Sequence, residues 1–284
     1  MATKKILNLY EEVTQRSLKE VCDKYGALVF AKVRVADVLV IEHTGISDAE
    51  YRFALQSHFD FVVTDDAHSP QFAVEFDGPL HANPEQRDRD RIKNNLCKQL
   101  SVPLLRINAR YLPKKYRNID LLGWFVEAWF FQQAFAEAQE DGLVSPDEPC
   151  DPLSVLGLPG RKERFPLWLS AELRVKIQGL NKRGKCHDSA PSEWYGKDSK
   201  GNYHGIMWIR VTKDSGVMVR SGIRSQQFPL IGCEILSELL VFQLYEELDA
   251  VVRGDGTARP FSEINAAIRR YEAKYEPRGS ATVA

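Results

Sequence analysis

The chain has 284 residues, 44% of them hydrophobic, enough for a sizeable core shared between two modest domains. A net charge of −1 and a pI near 6.6 argue against a uniformly basic nucleic-acid coat, leaving only a local patch to look for. Five widely spaced cysteines offer no CxxC or Cys/His spacing for zinc and fit a reducing cytosol.

The opening MATKKILNLYEEV has no uninterrupted apolar core for a signal peptide. No stretch approaches the roughly 18 apolar residues of a membrane span. A soluble, cytoplasmic protein without membrane contact is therefore expected.

Ile6, Leu7, Tyr10, Val13, Leu18, Val21 and Cys22 recur at roughly helical spacing and predict a helix ending near Gly26. Three β-like runs follow, Leu28 to Ile41, Ser57 to Thr64 and Gln71 to Phe76, the last two forming a candidate hairpin across Asp65 to Pro70. A charged helix from Pro84 to Leu100 leads into the apolar run Pro103 to Ile107, and an aromatic-rich helix covers Asp120 to Gln139. The expected order is α-β-β-β-α-β-α within a first domain of residues 1–140.

Residues 141–165 concentrate Pro, Gly and acid and read as a linker. A second, smaller α+β domain is expected over 166–275, with a hairpin around Ile206 to Val219, a strongly apolar helix from Gly232 to Val252, and a disordered tail over 276–284.

Alternation along a strand puts His58, Asp60, Val62 and Thr64 on one face. The same count puts Ala73, Glu75 and Asp77 together. If these strands pair, the carboxylates converge and repel unless one is protonated or a cation neutralises them, and a hard divalent ion with oxygen ligands suits that role. On the following helix, Ile92, Leu96 and Leu100 define the inward stripe, with Arg89 and Lys93 on the same arc. Two cations would then stand near three acids, beside a metal-bound water and a phosphate.

The segments AKVRVADVL, HFDFVVTD, AVEFDGPLH, RDRDRIK and VPLLRIN resemble the DUF2726 branch of the PD-(D/E)XK nucleases over residues 5–110. That resemblance implies a restriction-endonuclease-like α/β/α core with a mixed central sheet, and Asp60 and Glu75 as paired acids binding Mg2+ or Mn2+. Asp77 stands where the usual E-x-K motif has lysine. Lys93 is the candidate replacement, Asp77 a candidate third ligand, and His81 and Arg89 candidate supports or phosphate contacts. Glu12 is a weaker candidate for completing the site, and the role of His58 is left open. The implied activity is metal-dependent endo- or exonucleolytic hydrolysis of DNA, RNA remaining an alternative, in genome defence, repair or mobile-element biology.

Plainer readings stand beside these. Asp60 and Glu75 would be buried ion-pair partners, Asp77 a turn acceptor before Gly78, and Lys93 a helix lysine paired with Asp88 or Asp90. Cys97 reads as core packing.

Between Arg161 and Arg224, 14 Lys and Arg stand against 6 Asp and Glu. Arg161, Lys162, Lys182, Arg183, Lys185, Lys197 and Lys200 are interleaved there with Trp168, Trp194, Tyr195, Tyr203 and Trp208, a mix suited to phosphate contact and base stacking, or to a solvated surface over an aromatic core. Two rivals to the nuclease are a non-catalytic nucleic-acid-binding module of the same fold and a regulatory subunit. The second would form a homodimer or bind a partner protein through the aromatic helix Trp124 to Phe135 and the apolar helix Leu236 to Leu248.

Overall fold

A computed structural model describes residues 7–77, 84–108, 111, 114–116, 119–151, 169–228 and 232–281. The chain divides into two compact units, Met1–Leu167 with Gln226–Leu230, and Trp168–Ser225 with Ile231–Ala284.

The first unit opens with α1 (Leu9–Cys22), started by a capping box in which the Asn8 side chain accepts from Glu11 N–H and Glu11 accepts from Asn8 N–H. A 3-10 turn (Asp23–Tyr25) ends at Gly26, whose φ of 68° is the left-handed cap expected there. β1 (Leu28–Arg34) is shorter than the run to Ile41 predicted, because the chain turns helical at α2 (Val35–Val38). α3 (Asp48–Gln56) was not expected, although Ser47 and Glu50 form a second capping box that spells its start.

β2 (His58–Thr64) and β3 (Pro70–Asp77) form the predicted hairpin. α4 (Pro84–Gln99) then carries the chain to β4 (Leu104–Asn108), which runs parallel to β3. The sheet order is β1-β2-β3-β4, antiparallel except for the last pair. A two-stranded ribbon, β5 (Lys115–Tyr116) and β6 (Ile119–Asp120), precedes α5 (Leu121–Glu140), capped by the Asp120 side chain.

Successive strand residues face opposite sides, so the sheet is packed on both. Val62, Ala73 and Leu104 join Phe59, Ala54, Leu96 and Cys97 toward α3 and α4. Phe72 meets Trp129 of α5, 5.3 Å between ring centroids. Phe228, delivered by the Gln226–Leu230 segment, lies 5.3 Å from Phe72 and 5.1 Å from Trp129. The same segment satisfies β4: Leu104 N–H donates to Gln227 O and Arg106 N–H to Gln226 Oε1, each 2.9 Å.

The second unit contains α6 (Ala171–Lys182), β7 (Ser192–Lys197), β8 (Tyr203–Arg210), β9 (Ser215–Ile223), α7 (Gly232–Arg253), β10 (Arg259–Pro260), α8 (Phe261–Lys274) and β11 (Glu276–Ala281). Its sheet is wholly antiparallel in the order β10-β9-β8-β7-β11. α6 and α7 cover one face through Leu236, Leu240, Leu244, Met207 and Ile209. α8 covers the other through Ile264 and Ile268 against Trp194, Ile206 and Trp208. The tail expected from residue 276 is strand as far as Ala281, held by backbone pairing with β7 that leaves no mark in side-chain periodicity.

Both units are mixed α/β. The apolar face of α7 is spent inside its own unit, and Trp124, Phe125, Trp129 and Phe131 of α5 are buried in theirs, so neither helix offers the open apolar face proposed for a partner. Among the described residues no helix is long and apolar enough to cross a membrane.

Candidate active site

The β2–β3 register pairs Phe61 with Val74 and Val62 with Ala73, which places Asp60 opposite Glu75. At that step side chains replace the backbone ladder. Asp60 N–H donates to Glu75 Oε1 at 3.3 Å, and Phe76 N–H donates to Asp60 Oδ2 at 2.9 Å. The two carboxylates expected to converge are thus stitched into the gap between their strands.

Each is also matched to a lysine. Lys93 of α4 is buried and donates to Glu75 Oε1 at 2.7 Å and to His58 O at 2.8 Å. Lys32 of β1 stands opposite Asp60 and donates to Asp60 Oδ1 at 2.8 Å and to Glu11 Oε1 at 2.6 Å. Its φ of 55° is unusual for a strand residue bearing a Cβ, and two carboxylates hold the ammonium in place. Burial opposes the Lys32 ammonium, but the hydrogen bonds to Asp60 and Glu11 outweigh it and its pKa ends above the ordinary lysine value.

Asp77 is 3% exposed and paired with Arg106 Nη1 at 2.9 Å. Arg106 also reaches Asn94 Oδ1 through Nε at 2.9 Å and Asp90 Oδ1 through Nη2 at 3.3 Å. Burial works against the Arg106 charge, yet Glu75, Asp77 and Asp90 together raise its pKa. Desolvation pushes the Glu75 carboxyl up, opposed by Lys93 and reinforced by Asp60.

Of the residues predicted from sequence, Asp60, Glu75, Asp77 and Lys93 are brought onto one stretch of the first sheet and α4. Arg89 is not: it is exposed, its guanidinium 5.5 Å from the Phe53 ring centroid on α3. A helical turn separates it from Lys93 in the direction of α3. From the first helix, Glu11 reaches the site through Lys32 while also closing the capping box with Asn8. His58 contributes its carbonyl, while its side chain is exposed. His81, Gly78 and Pro79 lie outside the described residues. Cys97 is core as expected, and burial pushes its thiol up to about 12, far from a nucleophile.

Lys32 and Arg106 were missed by sequence reasoning. Both carry the signal that exposed Asp60, a charge inside an apolar strand run, in LVFAKVR and LLRIN.

The basic residues singled out in the second half do not form one stripe. Lys182, Arg183 and Lys185 are exposed around the end of α6, where the loop to β7 bonds Arg210 O through His187 N–H. Lys197 is at the far end of β7, its ammonium 4.3 Å from the Tyr203 ring centroid, with Lys200 in the adjoining turn. β7 separates the two groups by about 17 Å at the rise of an antiparallel strand. Arg161, Lys162 and Trp168 lie outside the described residues.

The donor set is compatible with a hard cation. Glu11, Asp60, Glu75, Asp77 and Asp90 are five carboxylates linked to three cations, Lys32, Lys93 and Arg106, a formal charge of −2 that one divalent cation would balance. Among the described residues no group of three or more His, Cys, Asp or Glu side chains is already arranged as a cage. Asp60 and Glu75, with oxygens at the gap, are the pair suited to the ion.

Residues 3–120 fit the family model described as "Protein of unknown function (DUF2726)". Neither the curated proteins nor the solved structures yield a match. Residues 3–120, which carry Glu11, Lys32, Asp60, Glu75, Asp77, Lys93 and Arg106, are a DUF2726 segment, and the match does not extend to the rest of the chain.

Proposed function

We propose that the first unit is a metal-dependent nuclease of restriction-endonuclease-like fold, hydrolysing phosphodiester bonds of DNA with Mg2+ or Mn2+ held by Asp60 and Glu75. The observation that carries this reading is the opposition of these two carboxylates across a broken strand ladder, with the buried Lys93 ammonium 2.7 Å from Glu75. A divalent ion held there would supply an activated water and offset charge on the phosphate.

The chain's own groups have defined parts. Lys93 spends two of its three donors on Glu75 and His58 O, which fixes the ammonium and leaves a third for a water or a phosphate oxygen. It thus takes, from α4, the place of the lysine absent at Asp77. Asp77 and Arg106 hold β3, β4 and α4 together beneath the acids, a positioning role. Lys32 holds the Asp60 carboxylate in its orientation.

One observation favours a second reading. Lys32, Lys93 and Arg106 already give Asp60, Glu75 and Asp77 a cationic partner each, so these three acids are matched one for one without an ion, as a binding module that never cleaves would need. The deciding experiment incubates plasmid, linear duplex, single-stranded DNA and RNA with Mg2+ or Mn2+, with chelator controls. Wild type is compared with Asp60→Asn, Glu75→Gln and Lys93→Ala. Cleavage that needs metal and falls at least 100-fold in both amide variants is the expected result, since one removed charge stabiliser costs about that much. Cleavage surviving both amide variants overturns the site. Metal binding by calorimetry without cleavage of any substrate favours the binding module.

A further inference from the structure

On the α8 side of the second sheet, β9, β10 and α8 enclose a cavity of about 210 Å³. Met218 and Ile264 give it an apolar floor, and Arg220, Arg259 and Arg270 line it with a single carboxylate, Glu263. α6, with Lys182, packs on the opposite face of this sheet.

We propose that this cavity binds the phosphate of a nucleotide unit, the guanidiniums taking phosphate oxygens and the apolar floor taking the sugar or base. Four other arginines of this unit are matched to acids. Arg174 has Glu238, Arg210 has Asp188, Arg253 has Asp249 and Arg278 has Glu276, all within 3.8 Å. Arg220, Arg259 and Arg270 have no such partner among the described residues, although they share one small space. Three cations against one acid leave two positive charges, the complement of a phosphate monoester dianion, or of successive phosphodiesters along a strand. The guanidinium fork matches phosphate oxygens two at a time, which a lysine cannot reproduce. No contiguous motif announces the site, because strand pairing gathers residues 220, 259 and 270 from three elements.

The same chemistry comes from a single-stranded nucleic acid or from a free nucleotide. The test uses the full chain in chelator, so hydrolysis is silent and the result is independent of the nuclease reading. Anisotropy of a fluorescein-labelled single-stranded oligonucleotide is followed at several KCl concentrations, with AMP and inorganic phosphate as competitors. R220A/R270A should weaken binding at least 10-fold and flatten the slope of log K against log salt by about 1.4, two contacts at about 0.7 each. R220K/R270K should keep the slope and lose affinity, and Arg253→Ala, at a paired surface arginine, should change neither. Competition by AMP well below the phosphate concentration needed supports the apolar floor. Binding of AMP but not oligonucleotide assigns the site to free nucleotides. The proposal is overturned if R220A/R270A matches wild type, if phosphate competes as well as AMP, or if wild type binds none of the three.

Discussion

The two sheets of this protein treat charge in opposite ways. In the first, Asp60, Glu75, Asp77 and Arg106 sit on or between strands whose neighbouring side chains are fully buried, and Lys93 is brought in from a helix to meet them. In the second, the corresponding helix-covered face is Trp194, Ile206, Trp208 and Met218, and its unpaired arginines stand at the exposed margin. Both are workable folds of similar material. The difference is that buried ions cost several kcal/mol each in desolvation and are retained only where partners, or a task, compensate.

The sharpest way to break the contrast is to remove a buried partner. Arg106→Met leaves Asp77 buried without its guanidinium and releases Asn94 and Asp90 as well. A loss of about 3–5 kcal/mol in urea denaturation is expected. Asp77→Leu combined with Arg106→Met should recover most of it, because the apolar pair needs no neutralisation. Failure to recover would mean that the network holds the strands by geometry rather than by charge balance.

A packing change in the second unit should cost less. At Gly205 an added Cβ would lie 2.7 Å from Leu240 Cδ1 and 3.0 Å from the Tyr195 ring. Gly205→Ala is expected to destabilise by about 1–3 kcal/mol, measured in the same way. A neutral result would show that the Leu240 side chain gives way to the added methyl.

The smallest effect belongs to Asp188, buried itself but paired with a partly exposed Arg210 and His187. Burial pushes the Asp188 carboxyl up, but hydrogen bonds from Arg210 and His187 outweigh it and hold it below the ordinary aspartate value. The ionised form is therefore favoured by folding. Its contribution is present at neutral pH and disappears as pH falls through the lowered value. Asp188→Asn should accordingly cost about 1 kcal/mol at pH 7 and nothing measurable in strong acid.

What could be read from sequence follows the same division. The apolar runs HFDFVVT and AVEFD, each interrupted by an acid, gave both hairpin strands, and strand pairing in the observed register sets Asp60 opposite Glu75. Helical spacing gave Lys93 its inward aim but misplaced Arg89, since the arc of a helix says nothing about which neighbour stands at each turn. Lys32 depends on an unusual φ and Arg106 on a parallel strand partner, both consequences of tertiary structure. α3 is marked in the sequence by its polar capping box, Ser47 with Glu50, rather than by a long apolar run. The arginine cavity is assembled from three distant segments and had no local trace.

Phe228 and its glutamine neighbours set a timetable for synthesis. The first unit's outer strand, β4, and the aromatic cluster around Phe72 and Trp129 are completed by residues made about 120 positions after β4 itself. At roughly 5–20 residues per second, the ribosome takes about 6–24 s to supply them. During that interval Leu104 and Arg106 present unpaired backbone N–H groups at a sheet edge, the kind of template on which nascent chains stick to one another. A fragment ending at Leu167 would carry that open edge permanently, so neither half of this chain is a clean cut from the other.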